Sequence, residues 1–380
     1  MKSDLIPSSS VGNKINLWYE YIRKFAVPDA EYMRSEIAKE INNMEENQDL
    51  LLYYSLMEFR HRLMLDYLEP LVDSKERFPI SELLENLENK QADLKGILDF
   101  YFNLFRGMYE FDNREYIEAI TYYKRAEKKL PLVKDEIEKA EFYFKIAEVY
   151  YHMKQTYFSM HCAKQSYEIY KEYPAYTVRI IQCHFVLAGN FMDVKNYEQA
   201  ARHLYKALEM SEDEQRSQLI GRSNYNLGVC CYEQDDFDRA GNHINRAIEI
   251  FVNDHVSNPL AQAYFLLAQM RFKQKMIKAA KDAAESGIDY ANKTENLVYL
   301  KKFDFLRSLY LAGPDVQGIE NCLHYLRSKK MYADVEDLAL ETAKYYNDKE
   351  NYKMAAEYFL KVEEARKQTQ RGECLYEIEI

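Results

Sequence analysis

The chain has 380 residues, more than one small core would organise, so it reads as two or more units or as a repeat array. Its 47% hydrophobic and 30% charged residues suit a soluble, globular protein, and only 11 Gly and 8 Pro are too few for the turns of a sheet-rich one. A net charge of −11 argues against nucleic acid as the main partner, because phosphate binding needs a basic face; it suits a basic partner, or solubility alone.

The N-terminal stretch MKSDLIPSSSVGNK has no apolar signal core, and no apolar run approaches about 18 residues, so neither a secretory leader nor a membrane span is expected. INLWYEYIRKF follows as an amphipathic helix, with Ile15, Trp18, Ile22 and Phe25 at helical spacing. Pro28 closes the connection to a second helix, AEYMRSEIAKEINNM. A third, QDLLLYYSLMEFRHRLMLDYLEP, stops near Pro70. Residues 1–70 therefore read as a three-helix bundle and the polar stretch 71–80 as a linker or hinge, with a repeat domain over 81–380.

The repeats show as small residues at fixed offsets. Gly107 of a first helix goes with Ala119 and Ala126 of a second. The frame returns at Ala147 with Ser159 and Ser166, Ala188 with Ala200 and Ala207, and Gly228 with Ala240 and Ala247. It returns again at Ala268 with Ala280 and Gly287, and at Ala343 with Ala355 and Val362. Positions 119, 159, 200, 240 and 280 lie 40 or 41 residues apart; the 75 from 280 to 355 leave room for one degenerate pair around LRSLYLAGPDVQGIENCLHYL. Two antiparallel helices cross closely only where side chains are small, and one pair cannot bury its apolar faces alone, so pairs stack. The pattern resembles the TPR family with a period lengthened from the usual ~34 residues. The expected fold is all-α: a three-helix bundle, then a right-handed TPR-like solenoid of about seven helix pairs.

Cys162, Cys183, Cys230, Cys231, Cys322 and Cys374 form no C-x-x-C pair and read as reduced packing thiols, with Cys230 and Cys231 on different faces of a helix. His61, His152, His161 and His184 lack metal-ligand spacing, and no P-loop, G-x-S-x-G or G-x-G-x-x-G occurs, so no metal or cofactor is expected. In a TPR-like frame the first helix of each pair lines the groove. That places Gln182 and Gln262 at position 2, Asn226 at position 6, Glu148 at position 9 and Asp193 at position 13, all facing it. An Asn amide can pair with an extended peptide backbone through donor and acceptor, and a carboxylate can hold a peptide Arg.

The segments NLWYEYIR, MEENQDLLLYYSLMEFRH, FRGMYEFDNREY, DEIEKAEFYFKIAEVYYHMKQTYFSM and LYEIEI resemble the Rap family of bacterial response regulator aspartate phosphatases and regulator-sequestering proteins, over essentially the whole chain. LYEIEI and FAVPDAEY look most like the members that bind a competence transcription factor. The resemblance implies a bundle that grips a response regulator and a repeat array that binds a re-imported Phr-type pentapeptide. It implies further that peptide binding closes the array, packs the bundle onto the repeats and releases the regulator. It implies that Gln48, in EENQ, orients a water for attack on an aspartyl phosphate in phosphatase members, with Glu45 and Glu46 beside it as contacts. It also implies that Asp135 and Glu138 contact the regulator, and it matches Asp193 and Asn226 to peptide ligands. By the residues alone, Gln48 reads first as a solvated capping residue and the acidic segment as an exposed helix face. The leading expectation is a sequestering inhibitor that blocks the regulator's DNA binding; the alternative is a phosphatase using Gln48. A peptide-sensing transcription factor fits less well, since the third bundle helix lacks a basic recognition face.

Overall fold

The computed structural model describes residues 5–68, 80–89, 94–311 and 313–369. Helices dominate the described residues, the only extended pairing being a parallel bridge between Ile6 and Met44. The bundle comprises α1 (Ser8–Arg23), α2 (Val27–Glu40) and α3 (Gln48–Leu68). Val11, Ile15, Trp18, Tyr19 and Ile22 bury one face of α1, a stripe at helical spacing. Phe25 does not extend that stripe: α1 ends at Arg23, and Phe25 takes φ 56° in the turn, where the Ala26 N–H reaches the Tyr21 carbonyl. Pro28 sits in the first turn of α2, where its missing N–H costs nothing. A short helix, α4 (Ile80–Glu88), precedes the repeats.

Seven helix pairs follow: α5 (Ile97–Asp112) with α6 (Tyr116–Glu127), α7 (Glu136–His152) with α8 (Thr156–Tyr170), α9 (Thr177–Asp193) with α10 (Tyr197–Asp213), α11 (Ser217–Tyr232) with α12 (Phe237–Asn253), α13 (Asn258–Lys273) with α14 (Ile277–Lys293), α15 (Leu297–Tyr310) with α16 (Val316–Ser328), and α17 (Tyr332–Asp348) with α18 (Tyr352–Thr369). The small residues of the repeat frame are buried at the crossings. A Cβ added at Gly228 would stand 2.5 Å from Ile244, so the α11–α12 approach has no room for one. In the degenerate pair, Leu306, Ile319 and Leu326 fill the small-residue positions. Its close contact moves to Gly318, whose Cβ would meet the Ser308 hydroxyl.

The turns explain the scarcity of glycine. Arg114, Lys154, Lys195, Gln215, Asp235, His255, Lys275, Glu295, Lys330 and Glu350 all have φ between 50° and 62°. At each, the next N–H returns to a carbonyl of the preceding helix, as Asn196 does to Phe191 at 2.8 Å. This is the Schellman closure, made here with polar residues where glycine is usual.

The chain divides into two compact units, Met1–Val149 with Ile169–Tyr176, and Tyr150–Glu168 with Thr177–Ile380. The expected linker 71–80 lies almost wholly outside the described residues, as do LYEIEI and Cys374. The units do not part at that linker, because the bundle shares its packing with α5 and α7.

Candidate functional site

In the first unit, Gln48 is the first residue of α3 and is exposed, as are Glu45 and Glu46 in the loop before it. Asn47 caps α3, its Oδ1 accepting the Leu50 N–H at 3.0 Å. Gln48 lines an open cleft of about 960 Å³, together with Asn16, Tyr53, Lys95, Leu98 and Tyr101. Tyr53 donates to Asn16 at 3.1 Å across it.

The acidic segment at the start of α7 divides in two. Asp135 is exposed; it caps the helix through the Ile137 N–H at 2.9 Å and pairs with Arg23 at 2.7 Å. Glu138 is not the surface contact expected from the sequence: it is fully buried. One of its oxygens accepts the Tyr19 hydroxyl at 2.6 Å and the other lies 3.2 Å from Arg23. Burial pushes its carboxyl up to about 7, against the pull of Arg23 and the Tyr19 hydrogen bond. One turn on, buried Glu141 accepts from Arg60 of α3 at 3.4 Å and from Tyr170 at 3.0 Å. The bundle is thus latched onto α7 by two arginines and a tyrosine. The latch is incompletely satisfied, since Arg23 Nε and Arg60 Nε are buried without a hydrogen-bond partner among the described residues. Glu148, on the same helix, is paired with Lys145 at 2.7 Å.

Within the bundle, the Trp18 indole donates to His61 Nδ1 at 2.9 Å, and His61 Nε2 lies 3.2 Å from Glu31. An indole N–H can only donate, so His61 is neutral with its proton on Nε2. Burial lowers its pKa.

In the second unit, Asn226 sits half-buried on α11 with no hydrogen bond to its amide among the described residues. Gln262 of α13 is half-buried and lies beside Tyr225, opposing the upward push that burial gives the Tyr225 hydroxyl. Asp193, at the end of α9, pairs with Lys154 at 2.7 Å. Burial pulls the Lys154 ammonium down, but Asp193, Tyr151 and Asp337 outweigh it and hold the pKa above the usual lysine value. Crowding by protein, with Asp334 and Glu233 nearby, pushes the Asp337 carboxyl up to about 7, opposed by Lys154 and Lys302. Gln269 of α13 donates to Glu341 of α17, which also accepts from Tyr310 at 2.5 Å. Gln182 departs from expectation: it is buried, its oxygen taken by Arg179 at 2.7 Å.

The first helices of these pairs therefore bring together a polar face on which carboxylates outnumber lysines. Asp337 and Glu341 escaped the sequence reading, although carrying the frame across the 75-residue interval puts them in register with Gln262 and Asn226. Cys230 and Cys231 are both buried but on different faces of α11, Cys230 packing with Ala188, Ala200 and Leu204 and Cys231 with Ala240, Ile244 and Ala247, and burial raises the Cys230 thiol to about 11.

Residues 5–66 match the family model for the N-terminal part of response regulator aspartate phosphatase H. The chain is 57% identical to regulatory protein RapC of Bacillus subtilis strain 168 over 382 residues, covering all of both chains. It belongs to the Rap family. Its fold matches the crystal structure of a Rap protein complexed with competence and sporulation factor with a TM-score of 0.89 at 42% identity, over 96% of this chain and 99% of the other. The crystal structure of aspartyl phosphate phosphatase F from Bacillus subtilis, 52% identical and covering 100% and 99% of the two chains, gives 0.70.

Proposed function

We propose that this Rap protein is a peptide-regulated inhibitor of a bacterial response regulator. It binds the regulator through the bundle and its Glu45–Gln48 loop, blocks the regulator's DNA binding, and lets go when a Phr-type pentapeptide occupies the polar face of the repeats. The observation that carries the reading is the latch. The α7 acidic segment is occupied by the bundle's own Arg23 and Arg60, so a regulator using Asp135 and its neighbours competes with an internal partner. In the second unit, Asn226 offers a free amide, and Asp193 and Asp337 offer carboxylates for a basic side chain or amino terminus. Mixing the protein with candidate response regulators and measuring their DNA binding, with and without pentapeptides, tests it. Loss of DNA binding that peptide restores is the expected result; a regulator that binds DNA unaffected in every case refutes sequestration.

The exposed position of Gln48 on an open cleft keeps a second reading: hydrolysis of the regulator's aspartyl phosphate, with the Gln48 amide orienting the attacking water. Phosphate loss from a phosphorylated receiver domain, followed with wild type and Gln48→Ala, decides it. Equal rates rule out a catalytic Gln48.

A further inference from the structure

The loop that carries Glu46 and Gln48 is held by a segment at the other end of the bundle sequence. The Ile6 N–H donates to the Asn43 carbonyl at 3.0 Å, and the Glu45 N–H donates back to the Ile6 carbonyl at 2.9 Å. The Ser8 N–H donates to a Glu45 carboxylate oxygen at 3.2 Å, and the Asn47 amide lies 3.5 Å from the Ser8 hydroxyl. The loop between the 3₁₀ turn Ile41–Asn43 and α3 buries Met44 and exposes Glu45 and Glu46, and these bonds are what its backbone has in place of a helix or a sheet. Glu45, expected as a regulator contact, spends its carboxylate on the first turn of α1, where a negative charge is favoured. The side chains left facing outward are Glu46 and Gln48.

We infer that Leu5–Ser8 is a positioning strap. Ile6 and Ser8 touch no regulator atom in this scheme; they hold the 43–48 loop so that Glu46 and Gln48 are presented in one geometry, and binding does not have to order them. The inference rests on the regulator-binding reading above.

Ile6→Pro tests it, because it removes the Ile6 N–H while Ile6→Ala keeps the backbone bonds and removes only the side chain. Regulator affinity, peptide affinity and hydrogen exchange at residues 43–47 are measured on the full-length protein. The expected result is regulator affinity weakened about tenfold by Ile6→Pro, near-wild-type affinity in Ile6→Ala, faster exchange at the Glu45 amide, and unchanged peptide affinity. Ser8→Pro, which keeps a favourable first helical residue while removing the bond to Glu45, gives a smaller loss in the same direction. If the wild type binds a regulator and Ile6→Pro binds it equally well, the strap is wrong and the binding reading stands. If Ile6→Ala is as weak as Ile6→Pro, the side chain acts and the strap is again wrong. If the wild type binds no regulator, the functional reading fails and the strap falls with it.

Discussion

Both units place carboxylates on the first helices of their repeats, but they treat them oppositely. In the first unit, Glu138 and Glu141 are sealed under the bundle and answered by Tyr19, Arg23, Arg60 and Tyr170. In the second, Asp193 pairs with Lys154 and Asp334 with Lys302, and both lysines pull on the crowded Asp337 carboxyl. A buried ion pair costs desolvation on both partners and brings little net stability. An open acidic face instead draws an outside cation. The same residue types thus form a latch in one unit and, on the proposed reading, a receptor in the other.

The harshest way to break that contrast is Arg23→Ala. It leaves Glu138 buried beside Tyr19 alone, and removing one partner of a buried pair costs about 3–5 kcal/mol. The chain's single tryptophan, Trp18, lies in the same unit, so its fluorescence reports this unit directly. The expected outcome is a fluorescence-detected urea midpoint well below wild type, with Tyr19→Phe intermediate. An unchanged midpoint would mean that the latch contributes nothing. Because the chain has two compact units, a single transition should not be assumed.

Acid titration sharpens the same point. Glu138 has a folded pKa of about 7 against an ordinary 4.5, so between those values the folded state holds a proton the unfolded chain has lost. Its contribution to stability therefore falls as pH rises from 4.5 to 7, by up to about 3 kcal/mol. His61 runs the other way. Its folded pKa is depressed by burial, so as pH falls below 6.5 the unfolded chain takes up a proton that the folded one refuses, and stability is lost. The two oppose each other in the acid range. Glu138→Gln should unmask the histidine, giving a first unit whose Trp18-detected stability drops more steeply than wild type as pH falls from 6.5 towards 5. Parallel profiles would show that Glu138 stays ionised in the latch.

On the open side, Asn226→Ala removes a free amide and disturbs no internal bond. Loss of a peptide hydrogen-bonding partner costs about 1–3 kcal/mol, or roughly ten- to a hundredfold in affinity. Fluorescence polarisation of a labelled basic pentapeptide checks it, and the same titration at rising salt should weaken binding if Asp193 and Asp337 act through charge. Wild-type affinity in Asn226→Ala would move the receptor elsewhere.

Helix content, pair count and crossing residues were readable because close packing demands small side chains at a fixed interval, and Gly107, Ala119 and Gly228 carry that demand locally. Glu138 and Gln182 were misread because exposure at a helical position depends on what packs there from afar: Tyr19 and Arg23 lie more than a hundred residues before Glu138. Asp337 and Glu341 were hidden by the degenerate pair, where Leu306 and Ile319 erase the small-residue frame. The extended pairing of Ile6 with Met44 had no periodic signal at all.

The smallest effect tests whether the units are independent. Lys275, between α13 and α14, has φ 60°, and Arg114, between α5 and α6, has φ 62°. A side chain in the left-handed region costs about 1–2 kcal/mol, and glycine removes that strain while adding freedom to the unfolded chain. The net gain expected from Lys275→Gly or Arg114→Gly is about 0.5–1 kcal/mol. The two turns are chemically alike but belong to different compact units. If the units unfold separately, Arg114→Gly raises the Trp18-detected midpoint and leaves the remaining helical transition in place, and Lys275→Gly does the reverse. If both substitutions shift both signals equally, the latch and the receptor are one cooperative structure, and a ligand at the second unit stabilises the first through global folding alone.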